Sequence, residues 1–256
     1  MMRRTTLCAL AAVVLALFPV SPARAIPVGL ELALVVDVSG SVDATEFATQ
    51  RDGYVSAFQN PALVTAIQNS QGGAIAVTFI YWSGALQQQQ AVPWMYINDT
   101  ATANAFALAV SLAARPFSGS TAPGSAINFT FPLFGTETGF AGNGFESLRQ
   151  VIDVSGDGAQ NDGASTSAAR DAALLAGTDT INGLPILGEA GLQAWYTANI
   201  MGGANGFVIP AATFQDFLPA VELKLITEFS GGVPEPATMA LLGLGALGLW
   251  RRRRAA

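Results

Sequence analysis

The segment Glu31-Leu-Ala-Leu-Val-Val-Asp-Val-Ser-Gly-Ser41 indicates the fold class of this chain. Residues 32–36, directly after Glu31, form an apolar run, which is typical of a strand that is buried on both faces of a parallel sheet. Asp37, Ser39 and Ser41 follow directly, and serine or aspartate often caps the first turn of a helix. The segment therefore predicts a buried parallel strand that ends in a polar loop and leads into a helix.

Strand and helix patterns alternate through the rest of the chain. Further strands are predicted at residues 74–82, 89–97, 148–154, 181–187 and 207–209, and helices at 43–58, 61–68, 100–114, 162–175 and 213–229. The short link before residues 89–97, together with Pro93, predicts an antiparallel edge strand. The expected fold is therefore α/β and doubly wound, with a mostly parallel central sheet, one antiparallel edge strand and helices on both faces.

The composition excludes several classes of function. Of the 256 residues, 51% are apolar and 12% are charged, so the chain has ample material for a core and is not disordered. It contains no histidine, which excludes Ser-His-Asp and Cys-His catalysis and any histidine-ligated metal. Cys8 is the single cysteine, which excludes an internal disulfide and a cysteine-ligated zinc site.

The charge of the chain is unevenly distributed. The formal net charge is −6, but residues 26–230 contain five basic and 17 acidic residues, which leaves that segment with a net charge of −12. Such a surface repels nucleic acid and attracts free divalent cations. The alternative explanation is that the acidic surface serves solubility alone.

The N-terminal residues have the pattern of a secretory signal peptide. Met1-Met2-Arg3-Arg4 precedes an apolar run at residues 7–20 and the segment Ala23-Arg24-Ala25, which suits cleavage after Ala25. Residues 1–25 are therefore predicted to be removed. The alternative is an N-terminal anchor, but the run of 14 residues is shorter than the ~20 that span a bilayer.

The C-terminal residues carry three ordered elements. Pro234-Glu235-Pro236 is followed by an apolar segment at residues 237–250 and by Arg251-Arg-Arg-Arg254. This order resembles the PEP-CTERM sorting signal of Gram-negative bacteria. The resemblance implies that residues 231–256 hold the exported protein in the inner membrane until an exosortase-type protease processes them, and that the protein then reaches the cell surface or the exopolysaccharide matrix. An ordinary C-terminal anchor is the alternative.

Three segments rich in small oxygen-bearing side chains are expected at one edge of the sheet. Residues 37–41 and 155–158 each follow a predicted strand, and residues 119–127 precede a helix. Ligands of doubly wound sheets bind beyond the carboxyl ends of the strands. Carboxylate and hydroxyl ligands suit a hard cation that keeps some of its waters, so Mg²⁺ or Mn²⁺ is expected before Zn²⁺.

These residues resemble the metal-ion-dependent adhesion site of the von Willebrand factor A (VWA) domain, over residues 29–230. The pattern consists of Asp37-x-Ser39-x-Ser41, a distant Thr121, and Asp157 followed by glycine. The resemblance implies that Ser39 and Ser41 ligate the metal, and that Thr121 does so directly or through water. Asp37 and Asp157 would hold metal-bound waters and balance the charge. Residues 26–230 are thus predicted to form a VWA-like domain.

Resemblance is strongest to a bacterial VWA-like group of uncharacterised function, on the segments 181–186 and 202–210. It implies a non-enzymatic adhesion protein of the biofilm matrix, which binds a protein carboxylate or an acidic polysaccharide. Two alternatives stay open: a purely structural matrix protein, and a hydrolase that uses the metal to activate water, with Asp153 or Asp162 as base. Asp153 stands where the family has an apolar residue, and its role is left open. Gly156 also departs from the pattern.

Overall fold

A computed structural model describes residues 24–231 of the chain. The strands are β1 (Ile26–Val28), β2 (Leu30–Asp37), β3 (Ile75–Trp82), β4 (Gln88–Ile97), β5 (Phe145–Ser147), β6 (Gln150–Gly156), β7 (Thr180–Pro185) and β8 (Gly202–Gly203). The α-helices are α1 (Ala44–Gln59), α2 (Pro61–Asn69), α3 (Thr100–Leu112), α4 (Pro123–Thr130), α5 (Thr166–Ala176), α6 (Leu192–Asn199) and α7 (Phe217–Phe229). Two 3₁₀ segments cover Phe131–Thr138 and Phe214–Asp216.

Six strands form the central sheet in the order β4-β3-β2-β6-β7-β8. Strands β3, β2, β6 and β7 are parallel, whereas β4 pairs antiparallel with β3 and the two-residue β8 pairs antiparallel with β7. β1 and β5 form a separate parallel pair. The predicted α/β architecture with an antiparallel edge at residues 88–97 is confirmed, and the short β8 adds a second antiparallel edge.

Every residue of β2 is buried, because this strand lies in the middle of the sheet and has helices on both of its faces. Successive strand residues point to opposite faces. Leu32 and Leu34 therefore pack in one core with Phe58 of α1, and Val35 packs in a second core with Ile127 of α4. The two cores pack against both faces of the sheet, so the carboxyl ends of its strands hold the following loops in fixed positions.

Several element boundaries differ from the prediction. β6 begins two residues later than expected, since Leu148 is 64% exposed, and it extends to Gly156. α5 begins at Thr166 rather than Asp162, because residues 157–165 form a loop at the carboxyl edge. Residues 207–209 contribute an isolated parallel bridge between Gly183 and Val208 instead of a strand.

The predicted signal peptide and sorting segment lie outside the described residues, apart from residues 24, 25 and 231. Within residues 24–231, the structure has no helix that is both long enough and apolar enough to cross a bilayer.

Candidate metal centre

The first loop of the site is set by Asp37, the last residue of β2. Its side chain is fully buried, and its Oδ1 accepts a hydrogen bond from the backbone N–H of Ser39 at 2.7 Å. This bond turns the chain sharply after the strand. Gln50 of α1 donates through Nε2 to the backbone carbonyl of Asp37 at 3.2 Å. The aspartate is therefore held at both its side chain and its backbone.

Arg115 clamps the same loop from outside the sheet. Its Nη2 donates to the carbonyl oxygens of Val38, Ser39 and Val42 at 2.8–2.9 Å. A guanidinium with several donors in a fixed plane suits such convergent acceptors. No sequence motif marked Arg115 as part of the site, although it is one of only five basic residues between 26 and 230.

The predicted residues of the three segments meet at the carboxyl edge of the sheet. Ser39 Oγ lies 3.2 Å from Ser41 Oγ, and Ser41 Oγ donates to Asp157 Oδ1 at 2.7 Å. Thr121 Oγ1 lies 3.5 Å from Ser39 Oγ. Ser41 is exposed, Asp157 is half-buried, and Ser39 and Thr121 are buried. The side chains thus form a polar cluster that is open to solvent on one side.

Hydrogen bonds between loops fix the position of Thr121. Its backbone N–H donates to Asn161 Oδ1 at 2.8 Å, and the backbone N–H of Asn161 donates back to the carbonyl of Thr121 at 3.0 Å. Ser83, which follows β3, accepts from the N–H of Gly119 at 2.7 Å. A further backbone bond of 2.7 Å joins the N–H of Gly40 to the carbonyl of Gly119. The threonine loop is therefore bound to three neighbouring loops.

The electrostatics of the cluster favour a bound cation. Burial raises the pKa of Asp37 to about 7, against the lowering effect of its hydrogen bonds with Ser39. Burial also raises the pKa of Asp157. Among residues 24–231, Asp37 Oδ2 is buried and has no hydrogen-bond partner. A buried carboxylate oxygen without a partner is costly, and a nearby divalent cation would compensate it.

Gly156 brings the backbone of β6 against Asp37. A Cβ atom at this position would lie 2.7 Å from Asp37 Oδ2 and 2.8 Å from the hydroxyl of Tyr196. The Tyr196 ring, on α6, is fully buried and fills the space beside the aspartate. The glycine that departs from the family pattern is therefore required here, because a side chain would collide with two oxygen atoms.

The donor set fits a hard divalent cation that keeps waters. Among residues 24–231, no three histidine, cysteine, aspartate or glutamate side chains cluster closely enough to hold a metal by themselves. The ligands would therefore be the hydroxyls of Ser39, Ser41 and Thr121, with Asp37 and Asp157 as the charged partners. Neutral oxygen ligands with few carboxylates are typical of Mg²⁺ sites.

The side chains of the two residues considered as a hydrolytic base have other partners. Asp153 is on β6 inside the core, in contact with Lys224 of α7. Asp162 accepts a hydrogen bond from the backbone N–H of Ala85 at 3.0 Å and joins two loops. Glu189, which the sequence analysis did not consider, accepts from the backbone N–H of Ala159 at 2.9 Å and steadies the loop after Asp157.

Solved structures that share this fold include a von Willebrand factor type A protein. The proximal thread matrix protein 1 of the mussel byssus, in a structure described as having a zinc-occupied MIDAS motif, is 15% identical with a TM-score of 0.54, over 80% of this chain and 49% of its own. A von Willebrand factor type A protein from Catenulispora acidiphila is 11% identical with a TM-score of 0.55, over 79% and 43%. The pilus adhesin SpaC from Lactobacillus rhamnosus GG is 14% identical with a TM-score of 0.54, over 79% and 31%. The chain spans about half of the mussel protein's length and less of the other two, and these identities establish the fold alone.

Sequence profiles of protein families give two further findings. The PEP-CTERM protein-sorting motif matches residues 232–254, which confirms the predicted sorting signal. A search of curated proteins found no match. The profile of DUF1194, a family described as proteins of unknown function, matches residues 27–233, and because this match covers most of the 256 residues, the chain belongs to the DUF1194 family.

Proposed function

We propose that this protein is a non-enzymatic adhesion protein of the cell surface or the exopolysaccharide matrix, and that it binds an acidic group of its partner through one divalent cation. Mg²⁺ is the expected cation, with Mn²⁺ as the substitute. The ligands are Ser39, Ser41 and Thr121, and the charge is balanced by Asp37 and Asp157. The partner's group is a protein carboxylate or an acidic polysaccharide.

One observation supports this proposal most strongly. Side chains from three separate loops converge on the open edge of the sheet, beside a buried aspartate oxygen that has no hydrogen-bond partner among residues 24–231. A loop that only capped α1 would have no need for the contact between Ser41 and Asp157, which are 116 positions apart. The fold of adhesins and matrix proteins in the comparisons is consistent with a binding role.

The residues of the site have separate tasks in this proposal. A bound divalent cation would supply an electrophilic position that accepts an oxygen of the partner. Asp37, fixed by Ser39 and Gln50, keeps negative charge beneath the cation. Ser41 and Asp157 border the solvent, so the partner approaches from their side. Direct hydroxyl ligands leave the cation more electrophilic than carboxylates would.

The placement of two aspartates supports binding over hydrolysis. Asp153 is enclosed in the core, and the carboxylate of Asp162 is engaged with a backbone N–H of another loop. A metal-assisted hydrolase needs a base within hydrogen-bond reach of the attacking water. A purely structural role for the metal would not require a site that is open to solvent.

The test is calorimetric titration of the exported protein with Mg²⁺ and Mn²⁺. Asp157→Asn and Ser41→Ala should each weaken cation binding. For Asp157→Asn we expect a loss of ~10–100-fold in affinity, because Asp157 holds the hydroxyl of Ser41 in place. Asp171→Asn is the matched control, since Asp171 is an exposed aspartate paired with Arg170 away from the site. Equal cation affinity in the wild type and both site variants would refute the metal centre.

A second measurement separates binding from the alternatives. Retention on immobilised host exopolysaccharide or surface protein should be lost with a chelator, restored by Mg²⁺ and absent in Ser41→Ala. Retention that survives the chelator would refute the cation-bridged mechanism. Cleavage of the captured material would instead favour the hydrolase.

The sorting motif supports a site of action outside the cytoplasm. The PEP-CTERM motif implies an exported protein that is sorted to the cell surface, with an exosortase-type protease acting on the tail. In our proposal, Ile26 is the first residue of the mature chain, and the domain acts after the tail has been processed.

A further inference from the structure

A second polar cluster lies inside the protein, between the sheet and α7. It contains Lys224 and Glu228 of α7, Asp153 of β6 and Asn182 of β7. The side chains of Lys224, Asp153 and Glu228 are 0% exposed. Lys224 is the only lysine of the whole chain. A fully buried lysine is rare in proteins, and this one lies roughly 13 Å along β6 from the candidate metal centre.

The contacts within this cluster are unusually close. Lys224 Nζ lies 2.5 Å from Asp153 Oδ1 and 2.6 Å from Glu228 Oε1. Glu228 Oε1 also accepts a hydrogen bond from Asn182 Nδ2 at 2.9 Å. Among residues 24–231, neither oxygen of Asp153 has a hydrogen-bond partner with ordinary geometry. The lysine nitrogen therefore approaches the Asp153 carboxyl group away from the usual hydrogen-bond direction.

Charged groups are crowded in this cluster. Two carboxylates and one ammonium group are fully buried together, and the Arg149 guanidinium lies beside Glu228 and donates to its backbone carbonyl. Burial of so many charged groups is costly in a protein core. Burial raises the pKa of Asp153, although the neighbouring Lys224 lowers it. The ring of Phe207 lies 5.6 Å from Lys224 Nζ and helps to close the cluster from solvent. Burial therefore favours the neutral form of the Asp153 carboxyl group.

We propose that Lys224 and Asp153 become joined by an intramolecular amide bond, with Glu228 as the proton carrier. One proton passes from the Lys224 ammonium to Asp153, which produces a neutral amine and a neutral carboxylic acid. The amine nitrogen attacks the Asp153 Cγ, so that a C–N bond forms and the C–OH bond breaks. Glu228 takes the second proton from the nitrogen and gives it to the departing hydroxyl group, which leaves as water. No oxidant or further reactant is consumed.

Three physical factors favour this condensation in the core. The reacting groups are held in contact, and such placement corresponds to effective concentrations of up to ~10⁵–10⁸ M. Exclusion of water protects the product from hydrolysis. Conversion of two buried charges into a neutral amide removes their desolvation cost. The bond would also tie α7 to β6 in an exported protein whose single cysteine, Cys8, lies in the predicted signal peptide.

Mass spectrometry of the purified, denatured full chain tests the proposal directly. The linked chain should be lighter than its sequence by the mass of one water molecule. Lysyl endopeptidase, which cuts only after free lysine, should leave the denatured chain intact, because Lys224 is its single site. After trypsin digestion, the fragment 150–170 should remain joined to the fragment that contains Lys224. A chain of full mass that is cut at Lys224 would overturn the proposal.

Two matched variants test the role of the glutamate. Glu228→Gln keeps the shape of the side chain but cannot carry the proton. In this variant Lys224 should therefore remain free, and the mass of the chain should equal that of its sequence. Glu222→Gln makes the same change on the same helix, at a residue that accepts a hydrogen bond from Asn60, and should leave the bond intact. If the whole Glu228→Gln sample is lighter than its sequence by one water molecule, the assignment of Glu228 is overturned. The wild-type mass decides the bond itself, whether or not a variant folds.

Discussion

Replacement of Gly156 by alanine tests whether the close packing around Asp37 is real and necessary. The added Cβ would lie 2.7 Å from Asp37 Oδ2 and 2.8 Å from the Tyr196 hydroxyl, whereas ordinary contacts begin near 3.4 Å. Both neighbours are fully buried. Overpacking of this kind costs ~1–3 kcal/mol in the free energy of unfolding. The aspartate must also shift, so we expect cation affinity to fall by ~10–100-fold.

Urea-induced unfolding and cation titration measure the two effects separately. Tyr196→Phe removes the hydroxyl, which is buried without a hydrogen-bond partner among residues 24–231, and should itself cost little stability. The double variant Gly156→Ala/Tyr196→Phe has one collision instead of two, so it should recover part of the lost stability. Gly188→Ala is the control, because a Cβ at Gly188 would meet no atom within 4 Å.

Unchanged stability and unchanged cation affinity in Gly156→Ala would refute this explanation. If Gly156→Ala unfolds at the same urea concentration as the wild type and binds cations equally well, Asp37 is not held in one position. The site would then lack the rigid carboxylate on which the adhesion proposal depends. A loss of stability that Tyr196→Phe does not relieve would show that the strain lies elsewhere in the loop.

Two further predictions concern other parts of the chain. Burial raises the pKa of Glu31 to about 7, so the folded chain binds a proton that the unfolded chain releases, and the free energy of unfolding should fall between pH 4.5 and 7 by up to roughly 3 kcal/mol. Glu31→Gln should flatten that decline in urea titrations at pH 5 and pH 8, and an unchanged slope would contradict the raised pKa. In a host that lacks the exosortase-type protease, the protein should remain in the inner-membrane fraction. Unchanged release from that host would argue against processing at Pro234-Glu235-Pro236.

Hydrophobic patterns explain why most of the fold could be predicted. The apolar run at residues 32–36 predicts a strand with two covered faces. The capping residue Asp43 marks the start of α1, because its side chain accepts hydrogen bonds from the backbone N–H groups of Thr45 and Glu46. α6 was missed because its signals are weak. It is eight residues long, and Gly191 precedes it with positive φ and no side-chain cap. Short helices of this kind are fixed by packing rather than by local sequence.

The candidate metal centre was more predictable than the contacts that hold its residues in place. Asp37, Ser39 and Ser41 stand in one short motif, and strand order brings Thr121 and Asp157 to them. Arg115 donates hydrogen bonds to backbone carbonyls. Every residue has such a carbonyl, so the sequence does not indicate which ones Arg115 contacts. The partners of Asp153 could not be predicted either, because its contact with Lys224 depends on α7 packing across the same face of the sheet that Asp153 occupies.

The basic residues provide a final argument for a cation at the site. Every basic side chain between residues 26 and 230 is occupied by a neighbour in the structure. Arg51 and Arg170 pair with adjacent aspartates, Arg115 and Arg149 donate to backbone carbonyls, and Lys224 is buried between two carboxylates. The rest of the charge on this segment is acidic. An acidic partner would therefore meet a net repulsion from the domain. A divalent cation at the carboxyl edge would place positive charge where Ser39, Ser41 and Thr121 can present it to an oxygen of the partner, so in our proposal removal of that cation abolishes recognition rather than weakening it.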